Sequence, residues 1–144
     1  MKSLVIFEST FGNTKQIAEA IAKELGAITV VASAVKPKDL KGLDLLVVGS
    51  PIIGWMPEEK MGKFLATLQK DQLTGAKAAT FDTRVKLFIH GDAMGKIAKS
   101  LEAAGAELIC ESHPFYVKGK EGPLLADELT KAVTWAQLIK SKIA

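Results

Sequence analysis

The chain has one cysteine, Cys110, in 144 residues. An intrachain disulfide is therefore impossible, and stability has to come from a buried core. Histidine is also scarce: His90 and His113 are the only two, and neither has further ligands at metal-site spacing, so no metal centre is expected. No long hydrophobic run exists. The cleanest apolar stretch, ending at Gly49, is broken far short of a membrane span, and the opening Met1 to Glu8 lacks the apolar length of a signal-peptide core. These features predict a cytoplasmic protein with no membrane association. Linkers, repeats and Pro/Gly-rich tracts are missing too, so residues 1–144 are expected to form one domain. The positive excess is small, 19 Lys and Arg against 16 Asp and Glu. The basic residues are scattered rather than gathered in a stripe with interleaved aromatics, which argues against a nucleic-acid partner.

What is present is alternation. Apolar residues make up 48% of the chain, and they fall into short runs separated by amphipathic stretches. Leu4 to Phe7 predicts a buried strand. Ile17, Ala18, Ile21, Ala22 and Leu25 then repeat at the helical period, with Gly26 as the stop. Ile28 to Val31 and Leu45 to Val48 predict strands two and three, with Pro37 to Gly42 a link or a single helical turn. Pro57-Glu58-Glu59 opens a helix with proline in its first turn and Met61, Phe64, Leu65 and Leu68 inward. Lys77 to Phe81 predicts strand four. Asp92 is a cap for a helix with Ile97, Ala98 and Leu101 inward. Leu108-Ile109 and Phe115 to Val117 give a fifth strand region, interrupted or bent near Pro114. Leu125, Leu129, Ala132, Val133, Ala136 and Ile143 predict the last helix. Val85 to His90 is read as a loop with a buried tip, the alternative being a fourth strand that lies later. Strand–helix alternation predicts a mostly parallel sheet with helices on both faces.

The sharpest local signal is Glu8-Ser9-Thr10-Phe11-Gly12-Asn13-Thr14, between the first strand and the first helix. Such a loop aims backbone N–H groups and the positive end of the helix at whatever lies in the crevice. Ser9, Thr10 and Thr14 add hydroxyls, Gly12 permits close backbone approach, and Asn13 tolerates tight turns. The set describes a cradle for a phosphate dianion. It contains no arginine, and Lys15 lies beyond it, so neutralisation is expected to rely on dipoles and hydroxyls.

Ser9-Thr10-Phe11-Gly12-Asn13-Thr14 resembles the phosphate loop of the flavodoxin family, Thr/Ser-x-Thr-Gly-Asn-Thr, departing from it at Phe11. The resemblance spans the whole chain. It implies a flavodoxin-like three-layer α/β/α sandwich, a five-stranded parallel sheet of order 2-1-3-4-5, and FMN bound outside the carboxyl ends of the strands. A second flavin loop is implied at Ser50-Pro51-Ile52-Ile53-Gly54-Trp55. Gly54 would supply a peptide facing flavin N5, and either Ile53 or Trp55 would stack on the ring. A third is implied at Asp82-Thr83-Arg84. Its stacking tyrosine is missing, with Phe88 a substitute only if Val85 to His90 folds over the ring, and Arg84 is a candidate to approach flavin N1 and O2 and raise the lower reduction potential.

The resemblance implies an electron carrier, a monomer that shuttles low-potential electrons between a reductase and an acceptor. Alternatives on the same fold are an FMN-dependent, quinone-reductase-like oxidoreductase and a module that has lost FMN. A response-regulator receiver is disfavoured because Gly49-Ser50 stands where an aspartate is needed. The slight positive charge, unlike that of many strongly acidic flavodoxins, makes acidic partners conceivable. Cys110 lacks a phosphatase-loop arginine, and Gly91 to Lys96 lacks Walker spacing.

Overall fold

A computed structural model describes residues 1–86 and 91–143. The chain runs β1 (Ser3–Phe7), α1 (Asn13–Leu25), β2 (Ile28–Val31), a 3₁₀ turn at Ala32–Ala34, α2 (Pro37–Leu40), β3 (Leu45–Ile53), β4 (Met56–Pro57), α3 (Glu59–Thr67), β5 (Lys77–Val85), α4 (Ala93–Ala103), β6 (Glu107–Leu108), β7 (His113–Val117) and α5 (Glu128–Ile143). The parallel sheet has the order β2-β1-β3-β5, and its fifth position is shared by β6 and β7. The expected 2-1-3-4-5 arrangement is thus present, with β5 as its fourth strand. β4 adds a short antiparallel return onto β3.

Strand alternation explains the layers, because successive side chains point to opposite faces. Leu4 and Ile6 of β1, with Leu46 and Val48 of β3, enter a core that contains Leu40 of α2, Met61 and Phe64 of α3, and Ile97 and Leu101 of α4. Val5, Phe7, Leu45 and Val47 enter the opposite core with Ile17 and Ile21 of α1 and Trp135 and Ile139 of α5. β1 and β3 are apolar on both faces because helices cover both.

Several expected boundaries move. β3 continues past Gly49 to Ile53, and β5 past Phe81 to Val85. Both continue because partners continue beside them: Pro51 faces Thr83, and Thr83 faces Phe115 on its other side. Val85 therefore belongs to the strand, not to the loop, and Phe88 and His90 lie outside the described residues. Pro57 ends β4 instead of entering α3, whose N-cap is Glu58. The break in the fifth strand position falls between Leu108 and His113, while Pro114 sits inside β7 opposite Asp82. That is an edge position, where a missing N–H is tolerated. The buried face of α5 is Ala132, Trp135, Ala136 and Ile139, and Leu129 is exposed. Leu125 precedes that helix and donates its N–H to the Tyr116 carbonyl.

Candidate functional site

β1 and β3 are neighbours in the sheet, yet the chain leaves them in opposite directions, towards β2 and towards β5. Loops at such a switch point diverge and leave a crevice at the carboxyl ends of the strands. A cleft of about 270 Å³ lies there. The loop after β1 lines it with Ser9, Thr10, Phe11, Asn13 and Thr14. Pro51 through Trp55 of the β3–β4 hairpin and Thr83 and Arg84 of β5 complete most of the wall.

The first loop is shaped by Gly12, the N-cap of α1, at φ 92°. There it leads into a helix whose first N–H groups have no carbonyl partner within the helix. Ser9 Oγ accepts from the N–H of Gly12 at 3.0 Å and of Lys15 at 3.3 Å. A side-chain oxygen thus lies where those amides converge. Thr14 is buried, and its hydroxyl shares a 2.8 Å hydrogen bond with that of Thr83, tying the first loop to β5. Asn13 Nδ2 donates to the Glu121 carbonyl at 3.2 Å, tying the same loop to the segment after β7. Phe11 is exposed beside the cleft.

The second segment is a tight hairpin. Ile53 pairs with Met56, leaving Gly54 and Trp55 as its two-residue loop, with φ of 55° and 71°. Positive φ at both central positions is the signature of a type I′ turn, whose twist suits the flanking strands. Ile53 and Trp55 are both exposed on the cleft wall, so either can face a planar ligand.

Gly12, Ser50 and Asp82, expected in the site, do not line the cleft. Ser50 is buried; its hydroxyl donates to the Pro51 carbonyl and accepts from the Glu58 N–H, each at 2.8 Å. It secures the hairpin to the start of α3. Asp82 is buried beneath the wall. It accepts from Arg84 Nε at 2.8 Å and Nη2 at 2.5 Å, and from the Met94 N–H at 3.1 Å. Burial pulls the Arg84 pKa down, but the hydrogen bond and charge of Asp82 outweigh it, leaving the guanidinium above its ordinary value. Arg84 lines the cleft as the positive half of a neutral pair, so the potential it imposes there is far smaller than that expected of a lone cation. Asp82, Thr83 and Arg84 form the end of a strand rather than a loop.

Val85, Gly91, Val117 and Lys120 also line the cleft and were not read from the sequence. Gly91 is legible only in three dimensions: a Cβ there would stand 2.4 Å from the Trp55 Cα. Away from the cleft, burial pushes the Cys110 thiol up, an unreactive setting. Among the described residues no group of side chains could hold a metal ion, and no helix is long and apolar enough to cross a membrane.

A family model described as a flavodoxin domain matches residues 4–108. The chain belongs to the flavodoxin family. Solved structures agree over its whole length. A flavodoxin from the domain Archaea is 24% identical over 99% of each chain, with a TM-score of 0.81. Oxidised flavodoxin 2 from Bacillus cereus is 22% identical over 99% of each chain, with a TM-score of 0.84. A flavodoxin, WrbA-like protein from Agrobacterium tumefaciens is 16% identical over 99% of this chain and 96% of that one, at 0.81. At these identities the likeness of this chain to its neighbours is one of fold.

Proposed function

We propose that the cleft binds FMN non-covalently and that the protein carries electrons between a reductase and an acceptor, as a cytoplasmic monomer. The observation that supports this reading is the polarity of one continuous cleft. The hydroxyl-bearing loop from Ser9 to Thr14, which leads into the N-terminus of α1, forms one part of its wall, and the apolar side chains of Phe11, Ile53 and Trp55 are exposed along it. The first set suits a phosphomonoester, and the second suits a planar ring with little polar surface on its faces. FMN, when bound, supplies both one-electron and two-electron chemistry.

The chain's own residues have the simpler tasks of binding, orienting and excluding water. The Gly54-Trp55 turn offers peptide groups at the cleft wall, and the Thr14–Thr83 hydrogen bond holds the phosphate end to the sheet. Ser50 and Glu58 support the hairpin from behind.

The test is a visible absorption spectrum of the purified protein during FMN titration, followed by stepwise reduction. Saturable uptake of FMN, with a long-wavelength absorbance that rises and then falls, is the expected result for a one-electron carrier. Turnover of a quinone with NAD(P)H, without an added reductase, would instead make the protein an FMN-dependent oxidoreductase. Failure of the folded protein to take up FMN would leave it a flavodoxin-like module of another use.

A further inference from the structure

The phosphate loop contains no cation, yet the fold delivers one to the same cleft from the far end of the chain. After β7 the backbone turns back on itself: Val117 pairs with Leu124, the Lys118 N–H donates to the Pro123 carbonyl at 2.8 Å, and the Gly122 N–H donates to the Gly119 carbonyl at 2.9 Å. That last bond closes a four-residue turn with Lys120 and Glu121 at its tip. The tip is fastened to the phosphate loop by the bond from Asn13 Nδ2 to the Glu121 carbonyl. It also fits closely there, since a Cβ on Gly122 would lie 2.6 Å from Asn13 Oδ1.

Lys120 therefore sits one residue, about 3.8 Å of backbone, from the anchor on Asn13. It lines the cleft together with Ser9, Thr10, Asn13 and Thr14. Lys120 enters no ion pair among the described residues, and the cleft's described lining contains no carboxylate. Arg84, the other cation there, is held by Asp82. An ammonium on a flexible four-carbon stem is suited to meet a doubly charged phosphate without fixed geometry.

We propose that Lys120 is a phosphate-binding residue of this cleft, supplying the counter-charge that the first loop lacks and selecting a phosphomonoester flavin over the uncharged one. The inference rests on the FMN reading and deepens it. Because the side chain is exposed, its contribution is screened by salt, and its loss leaves the core untouched.

The experiment is fluorescence titration of FMN and of riboflavin against the wild-type protein, Lys120→Gln and Lys120→Arg, each at low and high salt. In Lys120→Gln the affinity for FMN should fall roughly tenfold, about 1.4 kcal/mol, with riboflavin affinity unchanged and the salt dependence of FMN binding flattened. Lys120→Arg should keep most of the wild-type preference. Unchanged FMN affinity in Lys120→Gln, or equal losses for both flavins, overturns the assignment while leaving FMN binding intact. If the folded wild-type protein binds neither flavin, the FMN reading fails first and takes the assignment with it.

Discussion

Asp82 is fully buried, and three N–H donors satisfy it: two from Arg84 and one from the Met94 backbone. Such a pair contributes little net stability as a unit, but removing Asp82 takes the nearest counter-charge from the buried Arg84, which keeps the exposed Asp92 at 3.8 Å, and weakening a buried pair in this way is costly. Asp82→Ala should therefore lower stability by roughly 3–5 kcal/mol, read from urea denaturation. The double change Asp82→Ala with Arg84→Met should recover most of that loss; a double variant no better than the single one would mean the cost lies elsewhere. The same pair explains why the end of β5 was hard to read. Asp82, Thr83 and Arg84 have loop-like polarity in one dimension, but each finds its partner inside the molecule: Arg84 for Asp82, and Thr14, far away in sequence, for Thr83. Polar residues signal a chain leaving the sheet only when nothing in the interior can satisfy them. Lys120 was invisible for a related reason. Its link to the first loop runs through Asn13 and Glu121, which are 108 positions apart.

At the scale of elements, alternation was legible because strands and helices each carry their own apolar period, and the buried faces of α1 and α4 fall where Ile17, Ile21, Ile97 and Leu101 put them. The last helix was harder. Its buried face shares Ala132 and Ala136 with the apolar set read from the sequence, but it also takes in Trp135 and Ile139, and Leu129, though apolar, is exposed. The β3–β4 hairpin shows a constraint of backbone rather than of space. Nothing lies within 4 Å of a Cβ built on Gly54, yet its φ is 55°. Gly54→Val should thus cost roughly 1–2 kcal/mol from left-handed backbone strain, while Gly54→Asn, which tolerates that region better, should cost less. Comparison of the two variants by urea denaturation checks this, and equal losses would point to a role of the glycine other than backbone conformation.

For the molecule as a whole, acid sensitivity follows from the aromatic cluster between the sheet and α5. His113 stacks on Phe115 at 4.4 Å between centroids and lies near Trp135. Burial pushes its pKa below 6.5, against the upward pull of the Pro114 carbonyl and of Glu128. The unfolded chain then binds the proton more readily than the folded one, so stability is highest above the unfolded pKa and falls as pH drops through it towards the folded value. Urea midpoints at about pH 7.5 and about pH 5.5, on either side of the ordinary histidine pKa, should show a smaller loss for His113→Phe than for the wild type. An identical loss in both would assign the acid sensitivity to carboxylates.

The two margins of the sheet differ in kind. On one side the position beyond β5 is filled by two unequal pieces, β6 and β7, with a gap between them, and a broken ladder offers no continuous row of donors and acceptors. On the other, β2 is Ile-Thr-Val-Val with Ile28 and Val31 exposed, an uncharged β-branched segment of the kind that nucleates fibrils when its open side is left free. The chain limits this hazard by length: after four residues β2 bends into the 3₁₀ turn at Ala32. A second molecule arriving there finds only a four-residue ledge on which to pair.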